Sequence, residues 1–379
     1  MKRLRVQDHF ASLQDPRVER TKRHALMDIV LIAILAVIGG ADGWDDIEDF
    51  ADARHEWLAT FLGLRNGIPS ADTFRRVFEA LDAQHFQRGF ASWMSELAAG
   101  TEGKLVAIDG KTARRSFARE RGQGALHLVS AWVAENALAL GQIATEDKSN
   151  EIVAIPQLLA LLDVRGATVS IDAMGCQKKI AAAIVDKGAD YVLALKENQP
   201  ALHDDVVSFF THAEAEGWRD TPHSFDETTD GGHGRIEVRR VWASIEIDWL
   251  GDKKVWKGLR SVAMIERVRT IGEQTSTERA YYISSRAPDA AVLGQLVRRH
   301  WSIENSLHWT LDVTFNEDRS RIRSKNGTQN FAALRKLALA LLKRETSIPK
   351  LTSVARKRKR AACSNDYLLT VIRTAAEEN

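Results

Sequence analysis

The first hundred residues carry apolar side chains at helical spacing. The run "LMDIVLIAILAVIGG" at residues 26–40 is almost continuously apolar, but it contains Asp28 and is shorter than the roughly 20 residues that span a bilayer. It therefore predicts a buried core helix. Ser70 is a typical N-cap residue, and apolar residues follow it three and four positions apart: Phe74, Val77, Phe78 and Leu81. The pattern predicts an all-α region over residues 1–100.

From Leu105 the pattern changes to short apolar runs separated by helical stretches. The runs "LVAID", "LHLVSAWVAE", "LALGQIATE", "ATVSIDA" and "DYVLAL" are typical of strands in a largely buried sheet. The stretches "EIVAIPQLLALLD" and "CQKKIAAAIVDKG" are typical of helices, the second with Gly188 as its C-cap. This order of strands and helices predicts a mixed α/β domain.

Residues of about 200–285 show the alternation typical of strands, as in "GRIEVRRVW". They separate the predicted α/β sheet from the helical segment "HWSIENSLHW" at residues 300–309. A chain of 379 residues exceeds the usual size of one domain. We therefore expect a helical N-terminal domain (1–100), an α/β domain (101–345) that contains the β-rich insertion, and a basic C-terminal tail (346–379).

The composition indicates a soluble protein with a large core, since 44% of the residues are hydrophobic. The apolar run at 26–40 follows a basic stretch, but no small-residue cleavage site comes after it. The two cysteines, Cys176 and Cys363, are too few for a disulfide framework and lack the spacing of a zinc site. We expect a cytoplasmic protein without a membrane anchor and with two unpaired thiols.

The net charge of +2 conceals four clusters of basic residues. They lie within residues 1–24, from Lys111 to Arg121, in "RSRIRSK" at 319–325, and in "ARKRKRAA" near the C-terminus. One such cluster is commonly a solvated surface, but four favour a phosphate-rich partner, and nucleic acid is the leading candidate. Arg75 and Arg76 lie on the polar face of the helix predicted after Ser70. That helix fits the recognition helix of a helix-turn-helix unit, and it fits a plain packing helix equally well.

Two of the predicted strands end in an aspartate, Asp109 in "LVAID" and Asp172 in "ATVSIDA". Two carboxylates side by side in a sheet repel each other unless a divalent cation lies between them. With a third carboxylate, they could hold two Mg²⁺ ions about 4 Å apart, an arrangement suited to phosphoryl transfer. Glu304 is the candidate for the third. In a regular helix it would share one face with His300 and His308, each four residues away.

Several longer motifs carry a family resemblance: "AIDGK", "SIDAMGCQK", "YVLALKENQP", "GHGRIEVRR" and "HWSIENSLHWTLDVTFNED". Together with the N-terminal "FASLQDPRVERTKRHALMDIVLIAILAVIGGADGWDDIEDFA", they resemble bacterial insertion-sequence DDE transposases of the ISAs type. This group includes the H-repeat-associated proteins, and the resemblance runs from about residue 8 to about residue 370. It implies an RNase H-like catalytic fold with Asp109, Asp172 and Glu304 as the DDE triad. The implied cofactor is Mg²⁺, with Mn²⁺ as a substitute.

The resemblance also implies double-stranded DNA as the partner. The DNA would comprise the terminal inverted repeats of the element and the target, held together by a homodimer. Residues of about 200–285 resemble the β insertion of some relatives, a surface for clamping DNA ends. The candidate DNA contacts are Lys111, Arg75, Arg76, Lys196, His233, Arg235, His300, Arg319, Arg321 and Arg323.

The chain departs from the wider transposase class around Glu304. Many DDE transposases with a β insertion place a Tyr, an Arg and a Lys near this glutamate, where this chain has Val297, His300 and Leu311. His300 could take over the phosphate contact of the Arg, and one of the arginines at 319–323 the role of the Lys. Whether excision passes through a DNA hairpin therefore stays open.

Other functions compete with this interpretation. A Zn²⁺ hydrolase could use His300, Glu304 and His308, but HxxxExxxH differs from the H-E-x-x-H spacing and leaves the aspartates unexplained. A haloacid-type phosphatase needs a second acid two residues after Asp109, where Lys111 stands. A transposase-derived DNA-binding protein without catalysis is a third alternative, but the presence of all three carboxylates argues against it. A metal-dependent nuclease without strand transfer is a further alternative. Cleavage of DNA that contains the element ends separates these classes.

Overall fold

The computed structural model describes residues 4–117, 124–145, 150–232, 234–251 and 253–373. The α-helices are α1 (Val6–His9), α2 (Leu26–Ile38), α3 (Trp44–Asp52), α4 (His55–Leu58), α5 (Ala71–Ala80), α6 (Ala83–Ala98), α7 (Glu151–Leu161), α8 (Lys178–Asp186), α9 (Pro200–Ala215), α10 (Ala290–His300), α11 (Trp309–Thr314), α12 (Lys325–Arg344), α13 (Val354–Cys363) and α14 (Asn365–Arg373). The strands are β1 (Leu105–Thr112), β2 (His127–Val133), β3 (Leu138–Thr145), β4 (Thr168–Ile171), β5 (Asp190–Leu195), β6 (His223–Gly232), β7 (Arg235–Ser244), β8 (Ser261–Ile271) and β9 (Gln274–Ser284).

The strands form a mixed nine-stranded sheet in the order β3-β2-β1-β4-β5-β9-β8-β7-β6. In its first half, β1, β4 and β5 run parallel, and β2 is antiparallel to both β1 and β3. β9 pairs antiparallel with β5 and so connects the hairpins β6–β7 and β8–β9 to the central strands. The prediction of a mixed α/β fold is confirmed. The predicted β-rich segment extends the central sheet.

The helices before β1 pack on α12, far along the chain. Residues 29–38 of α2 are fully buried, which confirms the core helix predicted from the apolar run. The Ser70 hydroxyl accepts a hydrogen bond from the backbone N–H of Thr73 at 3.4 Å, which confirms the predicted N-cap of α5. α2, α5 and α6 contact α12, and their buried side chains belong to the same hydrophobic core. No helix within the described ranges is both long enough and apolar enough to cross a membrane.

Part of the C-terminal basic cluster lies inside this core. The guanidinium of Arg358 donates hydrogen bonds at 2.6–3.2 Å to the carbonyl oxygens of Val37, Ala41 and Thr314 and to the carboxylate of Asp42. Lys357 is also buried, and its ammonium donates to the carbonyl oxygen of Leu342 at 2.9 Å. The expectation that "ARKRKRAA" presents its charges to a polyanion is therefore wrong for these two residues. They join α13 to the rest of the fold instead.

We expect Arg358→Ala to lower the free energy of unfolding by roughly 3 kcal/mol, because it leaves several buried acceptors without their charged donor. Arg356 is exposed on the same helix. Arg356→Ala should therefore change the stability by less than about 0.5 kcal/mol. Urea denaturation followed by circular dichroism measures both values, and equal stability of the two variants would contradict the structural role of Arg358.

Candidate active site

The register of the parallel strands brings Asp109 and Asp172 together. Ile108 of β1 pairs with Ile171 of β4, and the two aspartates are the residues that follow this pair. β4 ends at Ile171, so Asp172 lies just beyond its strand, as predicted. Asp109 does not end its strand, because β1 continues to Thr112 through its pairing with β2. The prediction of a strand end at Asp109 is therefore wrong. The pairing of β1 with β4 ends at Ile108, so Asp109 is the first residue of β1 without a partner in β4.

A tight turn holds Asp172 in place. One of its carboxylate oxygens accepts hydrogen bonds from the backbone N–H groups of Met174 at 3.1 Å and Gly175 at 3.4 Å. A side chain at Gly175 would overlap Ile171, so the turn closes directly against the end of β4. The carboxylate of Asp172 is thus fixed beyond the strand end, on the side where open α/β sheets collect their ligands.

Several carboxylates surround Asp109. Burial, together with the negative charges of Asp172, Glu151 and Glu304, raises the pKa of Asp109 to about 6. Asp172 and Glu304 are therefore near enough to act on Asp109 through their charges, and Glu151 is a further carboxylate that does so. Glu151 was not among the predicted site residues. It is the first residue of α7, and acidic residues are common in the first turn of a helix, so its position in the chain carries no distinctive signal.

Glu151 is paired with His127 beside the backbone of Gly110. Both side chains are buried, and His127 Nε2 lies 2.5 Å from an oxygen of Glu151. The other ring nitrogen lies 2.9 Å from the hydroxyl of Thr112. A Cβ atom at Gly110 would overlap the imidazole of His127 and lie 2.5 Å from the same Glu151 oxygen. The glycine of the "AIDG" motif is thus required by this pair, next to Asp109.

The segment that carries Glu304 is not one regular α-helix. α10 ends at His300, residues Ile303–His308 form a π-helix, and α11 begins at Trp309. Glu304 is exposed, whereas His308 is buried. The prediction that His300, Glu304 and His308 share one face of an α-helix is therefore wrong. Short π-helical segments occur often at functional sites.

The two histidines contact different aspartate-bearing strands. His300 Nδ1 lies 2.8 Å from the hydroxyl of Ser170 in β4, and His308 Nδ1 lies 3.5 Å from a carboxylate oxygen of Asp109 in β1. Burial lowers the pKa of His300 to about 4 and, with help from nearby lysine charges, that of His308 to about 3. In the described part of the chain, no three His, Cys, Asp or Glu side chains are close enough to hold a metal ion as they stand. Neither a zinc site at His300, Glu304 and His308 nor a preassembled carboxylate cage is formed.

Lys111, a predicted DNA contact, is engaged inside the protein. Its side chain is 15% exposed, and its ammonium donates to Glu317 at 2.9 Å and to the carboxylate of Asp312. These contacts join β1 to the segment after Glu304. His300, another predicted DNA contact, is likewise bonded to Ser170. DNA contacts for Lys111 and His300 stay predictions.

The structure brings Arg114 and Arg115 of the second basic cluster close to the third cluster, while Arg119 and Arg121 lie outside the described residues. Arg319, Arg321 and Arg323 are exposed on the segment between α11 and α12. Arg115 borders the same depression as residues 320 and 322 of this segment, and Arg114 lies 3.5 Å from Asp318. An arginine-rich surface, defined here as residues 114–115 and 319–323, therefore lies beside the end of β1 that follows Asp109.

The remaining predicted DNA contacts lie on other surfaces. Lys196 is exposed directly after β5, a strand that runs parallel to β4 and ends on the side of Asp172. Arg75 and Arg76 lie on α5 and pair with Asp72 at 2.9 and 3.2 Å. Arg235 is exposed at the start of β7, near the tip of its hairpin. His233 lies outside the described residues.

Many arginines of the β hairpins are paired with acidic residues. The pairs are Arg239 with Glu237, Arg240 with Glu227, Arg267 with Glu278, Arg269 with Glu237, and Arg279 with Glu214. Glu266 lies between Arg240 and Arg279 and bonds to both. Three of these pairs join neighbouring strands, one lies within β7, and Arg279 is paired with α9. The pairs stabilise this part of the fold and reduce the positive field that it offers to DNA.

Residues 80–341, which include the strands, both aspartates and Glu304, match the family described as "Transposase DDE domain". The chain belongs to this family. Residues 7–94 match a second family, described as "DDE_Tnp_1-associated". The match to the transposase DDE domain contains the whole sheet, and the match to the associated family covers most of the N-terminal helices. Both the helical N-terminal region and the sheet are therefore assigned to a family.

Curated relatives of this DDE family member are similar along nearly its whole length. Putative transposase YncI of Escherichia coli O157:H7 is 41% identical over 98% of this chain and 95% of its own. The H repeat-associated putative transposase YhhI of Escherichia coli (strain K12) is 35% identical over 98% of both chains. Among solved structures, a piggyBac transposase synaptic complex with hairpin DNA covers 98% of this chain and 78% of that chain, at 10% identity and a TM-score of 0.43. The resemblance to H-repeat-associated transposases is confirmed.

Proposed function

We propose that this transposase cuts the phosphodiester bonds at the ends of an insertion sequence and joins the freed ends to target DNA, with Asp109, Asp172 and Glu304 as catalytic residues. In the first step a water oxygen attacks phosphorus and the 3′ oxygen leaves as a hydroxyl. In the second, this 3′-OH attacks a target phosphodiester and displaces its 3′ oxygen. The pairing of Ile108 with Ile171 carries the proposal, since it sets the two aspartates side by side.

Membership of the family implies a requirement for a divalent cation, and the residues fit one. Carboxylate oxygens are preferred ligands of Mg²⁺ and Mn²⁺. Burial and, after it, the negative charges of Asp172, Glu151 and Glu304 raise the pKa of Asp109, and a bound cation would relieve the repulsion between these charges. We assign Asp109, Asp172 and Glu304 as its ligands. When bound, two such ions would stabilise the attacking and leaving oxygens. The chain contributes by holding each carboxylate: the turn at Met174 orients Asp172.

The order and directions of β3-β2-β1-β4-β5 support an RNase H-like catalytic fold. We propose residues 101–345 as the catalytic domain, with the β insertion at about 200–285. Residues 1–100 would be the helical domain that reads the element ends through Arg75 and Arg76. Residues 346–379 would be a basic C-terminal region. The N-terminal helices share their core with α12, so we expect the reader and the catalytic domain to act as one unit.

The arginine-rich surface is the best-supported site for the DNA backbone. It adjoins Asp109, and Arg319, Arg321 and Arg323 project from it into solvent. Arginine forms bidentate hydrogen bonds with phosphate, which suits it to hold the backbone near the catalytic carboxylates. Lys196, His233 and Arg235 are further proposed contacts. Two element ends must be processed together, so we propose a homodimer on DNA, acting at the bacterial nucleoid.

We expect DNA affinity to fall steeply with salt, because each neutralised phosphate contributes about −0.9 to the slope of log K against log salt. Arg321→Ala should reduce the slope by about one unit, since within the described residues Arg321 forms no ion pair. Arg240→Ala is the matched control, because Arg240 is already paired with Glu227 and Glu266. Fluorescence anisotropy over a salt series measures both. A larger change for Arg240→Ala would contradict the assignment of the arginine-rich surface.

The decisive experiment is a cleavage assay on DNA that carries the element ends. With Mg²⁺ or Mn²⁺, we expect nicks at the ends and joined products with target DNA. Binding without any cleavage would identify a DNA-binding protein without catalysis. Cleavage without joined products would identify a nuclease. Either result would overturn the proposed reaction.

A further inference from the structure

A small cavity near Asp109 is lined by His308 and Glu317, and each of these side chains has a buried polar atom that lacks a hydrogen-bond partner within the described residues. These atoms are Nε2 of His308 and Oε1 of Glu317. Lys111, Ser130 and Lys336 line the same cavity. It leaves about 10 Å³ for the centre of a water molecule, close to the size of a single-water site. Buried polar atoms are almost always paired in native proteins, so this pair of atoms points to a bridging ligand.

The groups around the cavity determine which atoms can donate. A carboxylate oxygen only accepts hydrogen bonds, so His308 Nδ1, 3.5 Å from Asp109, must carry the ring proton for their contact to be attractive. With the ring proton on Nδ1, Nε2 carries the lone pair of the neutral imidazole and accepts hydrogen bonds. Oε1 of Glu317 is an acceptor as well.

Two unpaired acceptors on residues that line one cavity can be satisfied by a molecule with two donors, and water supplies both. The ammonium of Lys336 donates to Ser130 at 2.7 Å and to the side-chain oxygen of Gln142. It has three N–H donors, so within the described residues one is left for the water oxygen. A water at this position would donate to His308 and Glu317 and accept from Lys336. His308 Nε2, Glu317 Oε1 and the third N–H of Lys336 then each have a hydrogen-bond partner.

We propose that this buried water locks His308 in the Nδ1-protonated tautomer, which makes His308 a positioning residue for Asp109. Its Nδ1–H would hold one carboxylate oxygen of Asp109, and the other oxygen would be available as a ligand for a divalent cation. Partners of this kind commonly fix the orientation of metal ligands in proteins. The inference rests on the proposed role of Asp109 as a cation ligand.

The tautomer can be measured directly on the full chain without metal. In ¹⁵N-histidine-labelled protein, the two-bond ¹H–¹⁵N correlation pattern distinguishes the ring protonated at Nδ1 from the ring protonated at Nε2. The His308 signals are those that disappear in His308→Asn. We expect the Nδ1-protonated pattern. The Nε2-protonated pattern would overturn the proposal, because the Nδ1 lone pair would then face the Asp109 carboxylate.

Two variants of His308 test the roles of its Nδ1 and Nε2 positions separately. His308→Asn places an amide N–H near the Nδ1 position, whereas His308→Gln places one near Nε2. We expect Mn²⁺ affinity, measured by electron paramagnetic resonance titration, to fall roughly 10–100-fold in His308→Gln and to stay near the parent value in His308→Asn. Thermal melting of each variant reports folding. The reverse order of Mn²⁺ affinities, or equal losses, would overturn the positioning role.

Asp109→Asn distinguishes this inference from the proposed function. If Asp109→Asn binds Mn²⁺ as tightly as the parent protein, the assignment of Asp109 as a cation ligand fails, and the positioning role of His308 fails with it. The tautomer of His308 in the metal-free protein is unaffected by that result. An Nδ1-protonated ring would then support the buried hydrogen-bond network alone.

Discussion

Glu304→Gln should reduce cleavage of the element ends by roughly a hundredfold or more while DNA binding persists. The glutamine keeps the shape of the side chain but removes one of the charges that act on Asp109. A cation site with one carboxylate fewer stabilises the attacking and leaving oxygens less well. A cleavage assay with Mg²⁺, run beside a binding assay on the same DNA, measures both effects.

The matched control for this variant is Glu273→Gln, since Glu273 is exposed in the turn between β8 and β9. It should cleave like the parent protein. If the parent protein, Glu304→Gln and Glu273→Gln cleave equally well, Glu304 is not a catalytic residue. Zn²⁺-dependent activity that is lost equally in His300→Ala, His308→Ala and Glu304→Gln would revive the zinc interpretation.

Gly110→Ala should damage both stability and catalysis. The added methyl group would overlap His127 and lie 2.5 Å from Glu151, so either this pair or β1 must shift. Such overpacking costs roughly 1–3 kcal/mol. The shift occurs next to Asp109, so we expect cleavage to fall by more than the loss of folded protein explains. Thermal melting and cleavage per folded molecule test these two effects.

Gly231→Ala provides the control, since Gly231 also lies in a strand but has open space around it. It should leave both melting temperature and cleavage close to the parent values. If Gly110→Ala behaves like Gly231→Ala, the His127–Glu151 pair does not constrain the backbone beside Asp109.

The elements that the sequence predicted correctly have strong local patterns. The continuous apolar run of α2 and the Ser70 cap of α5 depend on residues close in sequence. The strands that hold Asp109 and Asp172 are short apolar runs bounded by polar residues, which fits a buried parallel sheet. The proximity of the two aspartates follows once these strands are neighbours. Glu304 was already a candidate third carboxylate from its sequence context, and the family resemblance added its place in a DDE triad.

The features that the sequence did not reveal depend on distant contacts. The π-helix at Ile303–His308 looks like an ordinary helix in sequence, because its residues have no distinctive composition. Glu151 and His127 meet only after β2 and α7 pack together. The burial of Arg358 results from carbonyl oxygens more than three hundred residues away along the chain. A charge pattern read along the sequence cannot separate such an arginine from a DNA-binding one.

The burial of α2 against α12 also affects how the protein is made. α2 ends at Ile38, while α12 begins only at Lys325, so a ribosome completes most of the chain before the partner of α2 emerges. Until then, the strongly apolar α2 lacks the packing contacts that α12 makes with it in the folded protein. A nascent or prematurely ended chain would thus present a binding site for chaperones and proteases.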